Sequence, residues 1–123
     1  MLTPLESLLT ASTQTYTCKP TRGQEIQKTR PVVVITADLF NPIPLRIIVP
    51  ITSWQAKFSD RPFMVSINVS SENGLDRDSA GNVLQVRSLS TERFMRRLGQ
   101  VSDEILQELL AGLVICVDYE QNQ

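Results

Sequence analysis

The sequence predicts a mainly β domain finished by a C-terminal helix, and three observations carry that expectation. Short β-branched runs recur through the chain, beginning at Pro31-Val32-Val33-Val34-Ile35. Turn-forming residues separate them, notably Asn41-Pro42 and the polar stretch containing Gly74 and Gly81. Only after Ser102 do isoleucines and leucines recur at helical spacing. With 123 residues there is chain enough for one domain and one core, not two.

The elements follow in order. Pro31 to Ala37 is an unbroken β-branched run, too short and too branched for a helix, and reads as a strand buried on both faces. After the Asn41-Pro42 turn, Leu45 to Ile51 is the next β-rich run and ends in Thr52-Ser53. Pro62 to Val69 alternates as a third strand and Val83 to Leu89 as a fourth, with Ser70 to Asn82 as a loop between them. Ser90 is placed to cap a short helical turn, Thr91 to Leu98, that Gly99 would end. Ser102 caps the longer helix, whose first turn carries Asp103 and Glu104, where carboxylates complement the helix dipole. Ile105, Leu106, Leu109, Leu110 and Leu113 share one face, so the helix should pack on the sheet. Together these elements suggest a strongly bent antiparallel sheet covered by one helix.

Composition narrows the chemistry. The chain has no histidine, which removes the commonest general base and the commonest metal ligand together. Cys18 and Cys116 stand far apart and fit no metal spacing; no cofactor is expected. No apolar run is long enough to cross a bilayer, and Met1 to Ser12 carries Glu6 and no basic residue, unlike a secretory signal. A cytoplasmic protein is the expectation, and with it reduced cysteines. Net charge is −1, but it is unevenly spread. All 12 basic residues precede position 101, against 8 acidic ones, whereas five acidic residues and no basic ones lie beyond it. An ordinary mixed surface would explain this, as would a basic groove for phosphate.

The stretch from Arg22 to Ile35 is the richest in candidates. It sets Arg22, Gly23, Glu25, Lys28 and Arg30 directly before the buried-looking strand. Arg30 offers a permanently charged planar fork suited to a phosphate; a surface ion pair with Glu25 is the plainer explanation. Thr52 and Ser53, at a strand end, offer hydroxyls that can either donate to a phosphate or satisfy a turn. If the strand continues, Ser53 should face away from Thr52. Gln85 and Arg87 should alternate outward while Leu84 and Val86 point inward, giving groups able to read base edges or simply an exposed polar strand face. Trp54 is open between base stacking and packing, and Phe58 is expected to pack. Arg22 and Lys28 are phosphate candidates or solvated loop cations.

Taken together, the Gly23-x-Glu25 loop, Arg30-Pro31 before a valine run, Pro50-Ile51-Thr52-Ser53 and Gln85-Val86-Arg87-Ser88 resemble the MazF/PemK toxins, over roughly residues 20 to 118. The resemblance implies an SH3-like small barrel of the MazF/CcdB type, with residues 1–19 as an atypical N-terminal segment and 119–123 as a polar tail. It implies an endoribonuclease of a toxin–antitoxin system that cuts single-stranded RNA at short motifs by 2′-hydroxyl attack, without metal or cofactor. By the same resemblance Arg30 and Thr52 are catalytic, with Glu25 orienting Arg30 or moving a proton. Arg22, Lys28, Ser53, Trp54, Gln85 and Arg87 would then contact RNA. A homodimer and a cognate antitoxin with a disordered, often acidic tail are the implied partners. The family usually opens on a strand of the type Gly-Asp/Glu-Ile/Val-Trp/Tyr. Here Leu9 to Cys18 stands in that place, and its alternating Thr13, Thr15 and Thr17 would make a polar strand. A non-catalytic relative on the same fold, gyrase-directed or antitoxin-binding, is the other reading.

Overall fold

The structure is a computed structural model and describes residues 13–19 and 29–120. Within them, seven strands form an antiparallel sheet: β1 (Gln14–Cys18), β2 (Arg30–Val34), β3 (Leu45–Ser53), β4 (Met64–Ile67), β5 (Ser79–Asn82), β6 (Arg87–Ser90) and β7 (Phe94–Gln100). Helix α1 (Asp103–Cys116) follows them. The strand order is β4-β5-β3-β2-β1-β7, with β6 pairing β3 off that path. Long β3 is the centre. Its Ile48 pairs with Val34 of β2 and with Arg87 of β6, and its last three residues pair with β5.

Strand β2 is buried on both faces, as its unbroken β-branched run predicts. Val33 joins the main core with Val49, Ile51, Val65, Ile67, Val83, Val101 and Leu109. Val32 and Val34 face a second cluster with Cys18, Ile48 and Leu89, onto which Tyr16 and Phe94 pack, their rings stacked at 4.6 Å. Helix α1 covers the main core: Leu109 is fully buried, and Ile105 and Leu113 pack beside it. The Ser102 hydroxyl accepts from the Ile105 amide at 3.2 Å, the expected cap.

Three elements differ from the sequence expectation. Residues 79–82, expected in a loop, form β5. Ser-Ala-Gly-Asn carries no β-branched signal, and at Gly81 a side chain is excluded: a Cβ there would stand 2.8 Å from a Leu109 methyl and 3.3 Å from Val49. Residues 83–85 form a 3-10 turn ahead of β6, so the expected alternation fails and Leu84 is 60% exposed rather than buried. The helical turn expected over 91–98 shrinks to a 3-10 turn at Thr91–Arg93, capped by Ser90. Phe94 onward is strand β7 instead. Its sequence favours helix locally, but the open edge of β1 supplies a ladder from Gln14↔Gln100 to Cys18↔Phe94 that outweighs so weak a propensity.

The polar first strand also has its reason. Thr15 is fully buried, and its hydroxyl donates to the Asn73 carbonyl at 2.8 Å. Asn73, also buried, donates to the Asn68 carbonyl and accepts from the Leu75 amide. A valine at position 15 would leave that carbonyl without its donor in a buried setting.

Candidate active site

Three segments meet at one end of β3. The β2–β3 register pairs Val32 with Pro50 and Val33 with Val49. Beyond the last pair, Arg30 at the start of β2 and Thr52 near the end of β3 line the same cleft. On the opposite edge of β3, Thr52 pairs with Ala80 and Ser53 with Ser79. The result is a cleft of about 370 Å³ lined by Thr29, Arg30, Pro31, Ile51, Thr52, Ser53, Leu75, Asp76, Arg77 and Ser79. Arg30, Thr52 and Ser53 are all exposed in it. Thr52 and Ser53, the last two residues of β3, both line the cleft while keeping their register with Ala80 and Ser79.

The far wall was not foreseen. Asp76 and Arg77 belong to the polar stretch between Ser70 and Asn82, and no motif marks them. They reach the cleft because β5 pairs with β3, which the sequence did not signal. Arg77 Nε donates to Asp76 Oδ1 at 3.2 Å, with both side chains mostly exposed. The corner that carries them is well fixed. Buried Leu75 precedes it, Ser79 Oγ donates to the Arg77 carbonyl at 2.9 Å, and Asp78 accepts from the Trp54 and Val69 amides.

The other candidates fall elsewhere. Arg22, Glu25 and Lys28 lie outside the described residues. Trp54 is half-buried and meets buried Phe58 edge-on at 5.7 Å, beside Met64, Phe63 and Ala80. Phe58 therefore packs as expected, and Trp54 is partly committed to the same cluster. Gln85 and Arg87 are exposed but do not line this cleft. Arg87 stands across β3 from the Val34 register position, close to Cys18. Cys18 is itself the β1 register partner of Arg30. Burial pushes the Cys18 thiol up to about 11, and the positive charges of Arg87 and Arg93 offset part of that rise. Three guanidinium-bearing positions thus gather around one end of the second cluster.

The Cys18 shift has two consequences. Near pH 8 native Cys18 should resist alkylation while half-buried Cys116 reacts, which mass spectrometry of iodoacetamide-treated protein would check. The pKa in the folded state lies above its ordinary value of 9.0, so the unfolded chain ionises first. This thiol therefore leaves stability unchanged below pH 9 and lowers it as pH rises from 9 towards 11. Equal alkylation of both cysteines in folded protein would contradict the burial.

Among the described residues no group of three or more Cys, Asp or Glu side chains is placed to hold a metal ion, and no helix is long and apolar enough to cross a membrane. The cleft brings the Arg30 guanidinium together with the Thr52 and Ser53 hydroxyls, donor groups of the type that bind anions. The family described as PemK-like, MazF-like toxin of type II toxin–antitoxin system matches residues 15–117, and this chain belongs to that family. It is 35% identical over 105 residues to Endoribonuclease MazF9 of Mycobacterium tuberculosis, covering 80% of this chain and 86% of that protein. Among solved structures it resembles a mycobacterial endoribonuclease in complex with its cognate antitoxin. That likeness has a TM-score of 0.71 and 15% identity, and covers 90% of this chain and 97% of the other. It also resembles the MazE–MazF complex of Deinococcus radiodurans, with a TM-score of 0.69, 18% identity and coverage of 91% and 99%. These two likenesses speak for the mainly β fold with its C-terminal helix.

Proposed function

We propose that this chain is the toxin of a toxin–antitoxin pair and a metal-independent endoribonuclease that cuts single-stranded RNA at short motifs in the cytoplasm. The observation that carries the proposal is the meeting of Arg30 and Thr52 in one cleft, from two strands brought into register. In the reaction the 2′-oxygen attacks the adjacent phosphorus and gives up its proton. The P–O5′ bond breaks, O5′ takes a proton, and the products end in a 2′,3′-cyclic phosphate and a 5′-hydroxyl. Arg30 balances the extra negative charge on the phosphorane oxygens, and Thr52 donates to a non-bridging oxygen to hold the phosphate for in-line attack. Glu25 orients Arg30 or moves a proton. Arg22, Lys28, Ser53, Trp54, Gln85 and Arg87 contact the RNA on either side, with Arg87 and Arg93 adding positive charge near Cys18.

We read the bent sheet as an SH3-like barrel that pairs with a second copy. Exposed apolar side chains at Leu39, Phe40, Ile43, Leu45 and Ile47 offer area that a second copy would cover. The relatives solved with an antitoxin suggest a cognate antitoxin here too, its acidic tail competing for the same basic groove.

The test is cleavage of a long unstructured RNA by purified protein in excess EDTA, with the fragment ends identified chemically. Discrete fragments ending in a cyclic phosphate are the expected result; intact RNA after incubation with folded protein sinks the nuclease reading. Thr52→Val is expected to lower kcat about tenfold with little change in KM, the loss of one hydrogen bond made mainly in the transition state. An unchanged kcat would remove Thr52 from the mechanism.

A further inference from the structure

We propose that Arg77 is a second phosphate-holding residue of this cleft, taking the phosphate next to the scissile one. The inference rests on the ribonuclease reading above and deepens it. Strands β2 and β5 flank β3 on opposite edges, so Arg30 approaches Thr52 from one side and the corner before β5 from the other. Both arginines line the cleft, Arg30 from the first position of β2 and Arg77 from the corner two residues before β5. Two guanidiniums on opposite walls of one cleft suit consecutive phosphates of one strand better than a single phosphate.

Arg77 is also held for the task. Leu75 is buried on one side of it and Ser79 on the other, and the Ser79 hydroxyl binds the Arg77 carbonyl. Both Asp78 contacts, to the Trp54 and Val69 amides, tie the same corner to the end of β3 and the end of β4. Asp76 engages Nε alone, so it steadies the side chain without occupying the paired Nη edge that a phosphate would use. A backbone so fixed loses little freedom when RNA binds, which is the economy expected of a binding residue rather than a solvated loop cation.

The test uses the full chain and a short oligonucleotide spanning a mapped cleavage site. Arg77→Ala should raise KM about tenfold and leave kcat within about twofold, because the contact is the same before and during reaction. The slope of log affinity against log salt should become less negative by about 0.7, the value for one phosphate contact on a single strand. Arg77→Lys should keep the salt slope and recover part of the KM. Unchanged KM together with an unchanged slope would overturn the proposal, as would a loss confined to kcat. If the wild type cleaves nothing, the nuclease reading fails by itself. Arg77 is then judged on binding of a 2′-deoxy oligonucleotide, which has the same phosphates and no nucleophile. A shallower salt slope for Arg77→Ala still supports the contact, and an unaltered slope rejects it.

Discussion

Arg30→Ala is expected to reduce RNA cleavage by about 10²–10³-fold, the usual loss when one preorganised donor is removed from a site of developing charge. The fold should survive. Arg30 is exposed at the first position of β2, and the strand is anchored beyond it by Val32, Val33 and Val34, all buried. The loss should appear mainly in kcat, because the guanidinium meets the most charge when the phosphorane forms. Arg30→Lys should recover little: one ammonium restores the charge but not the planar fork. Single-turnover cleavage of a saturating oligonucleotide in EDTA, with circular dichroism on the same samples, separates the two outcomes. Wild-type rates from Arg30→Ala would mean that the cleft is not the reaction centre, however well Thr52 is placed.

Gly99→Ala should destabilise the fold by about 2–4 kcal/mol. A Cβ at position 99 would collide with the Glu72 carbonyl oxygen and stand 2.9 Å from the Asn73 carbonyl carbon. Backbone, unlike the tip of a flexible side chain, cannot turn aside. Relief would require β7 to move off the 72–75 segment, breaking the hydrogen bond that the Gln100 N–H donates to the Glu72 carbonyl and straining the one from the Thr15 hydroxyl to the Asn73 carbonyl. Gly74 faces the same seam from the other side: its φ is +69°, and a Cβ there would meet the Leu98 carbonyl. Because both glycines serve one contact, their alanine variants should combine less than additively. Urea denaturation of the three variants reads this directly, and a Gly99→Ala midpoint matching the wild type would show that the seam is loose. The seam matters for function too, since it positions the segment that continues into Leu75, Asp76 and Arg77.

The legible parts of this chain are those in which one local environment holds over several residues. The valine run of β2 reads as buried on both faces because both of its faces meet apolar clusters. Helix α1 reads from its cap, its first-turn carboxylates and its apolar face, all properties of the segment itself. Arg30 and Thr52 were visible as residues with suitable chemistry at strand ends. That they share a cleft was not visible, because it depends on the β2–β3 register and on β3 ending where it does.

By itself, then, the sequence determined a mainly β domain with a capped terminal helix and no imidazole chemistry. It also determined an arginine and a threonine at the mouths of two strands. Tertiary structure decided the rest. It made β5 from Ser79-Ala80-Gly81-Asn82, where position 81 lies too close to Leu109 and Val49 for a side chain. It drew 94–100 from helix into strand, because β1 offered an open edge. Through β5 it brought Asp76 and Arg77 to the cleft. In each case the deciding partner lies far along the chain, and a pairing energy shared between distant segments leaves no periodic trace in either one.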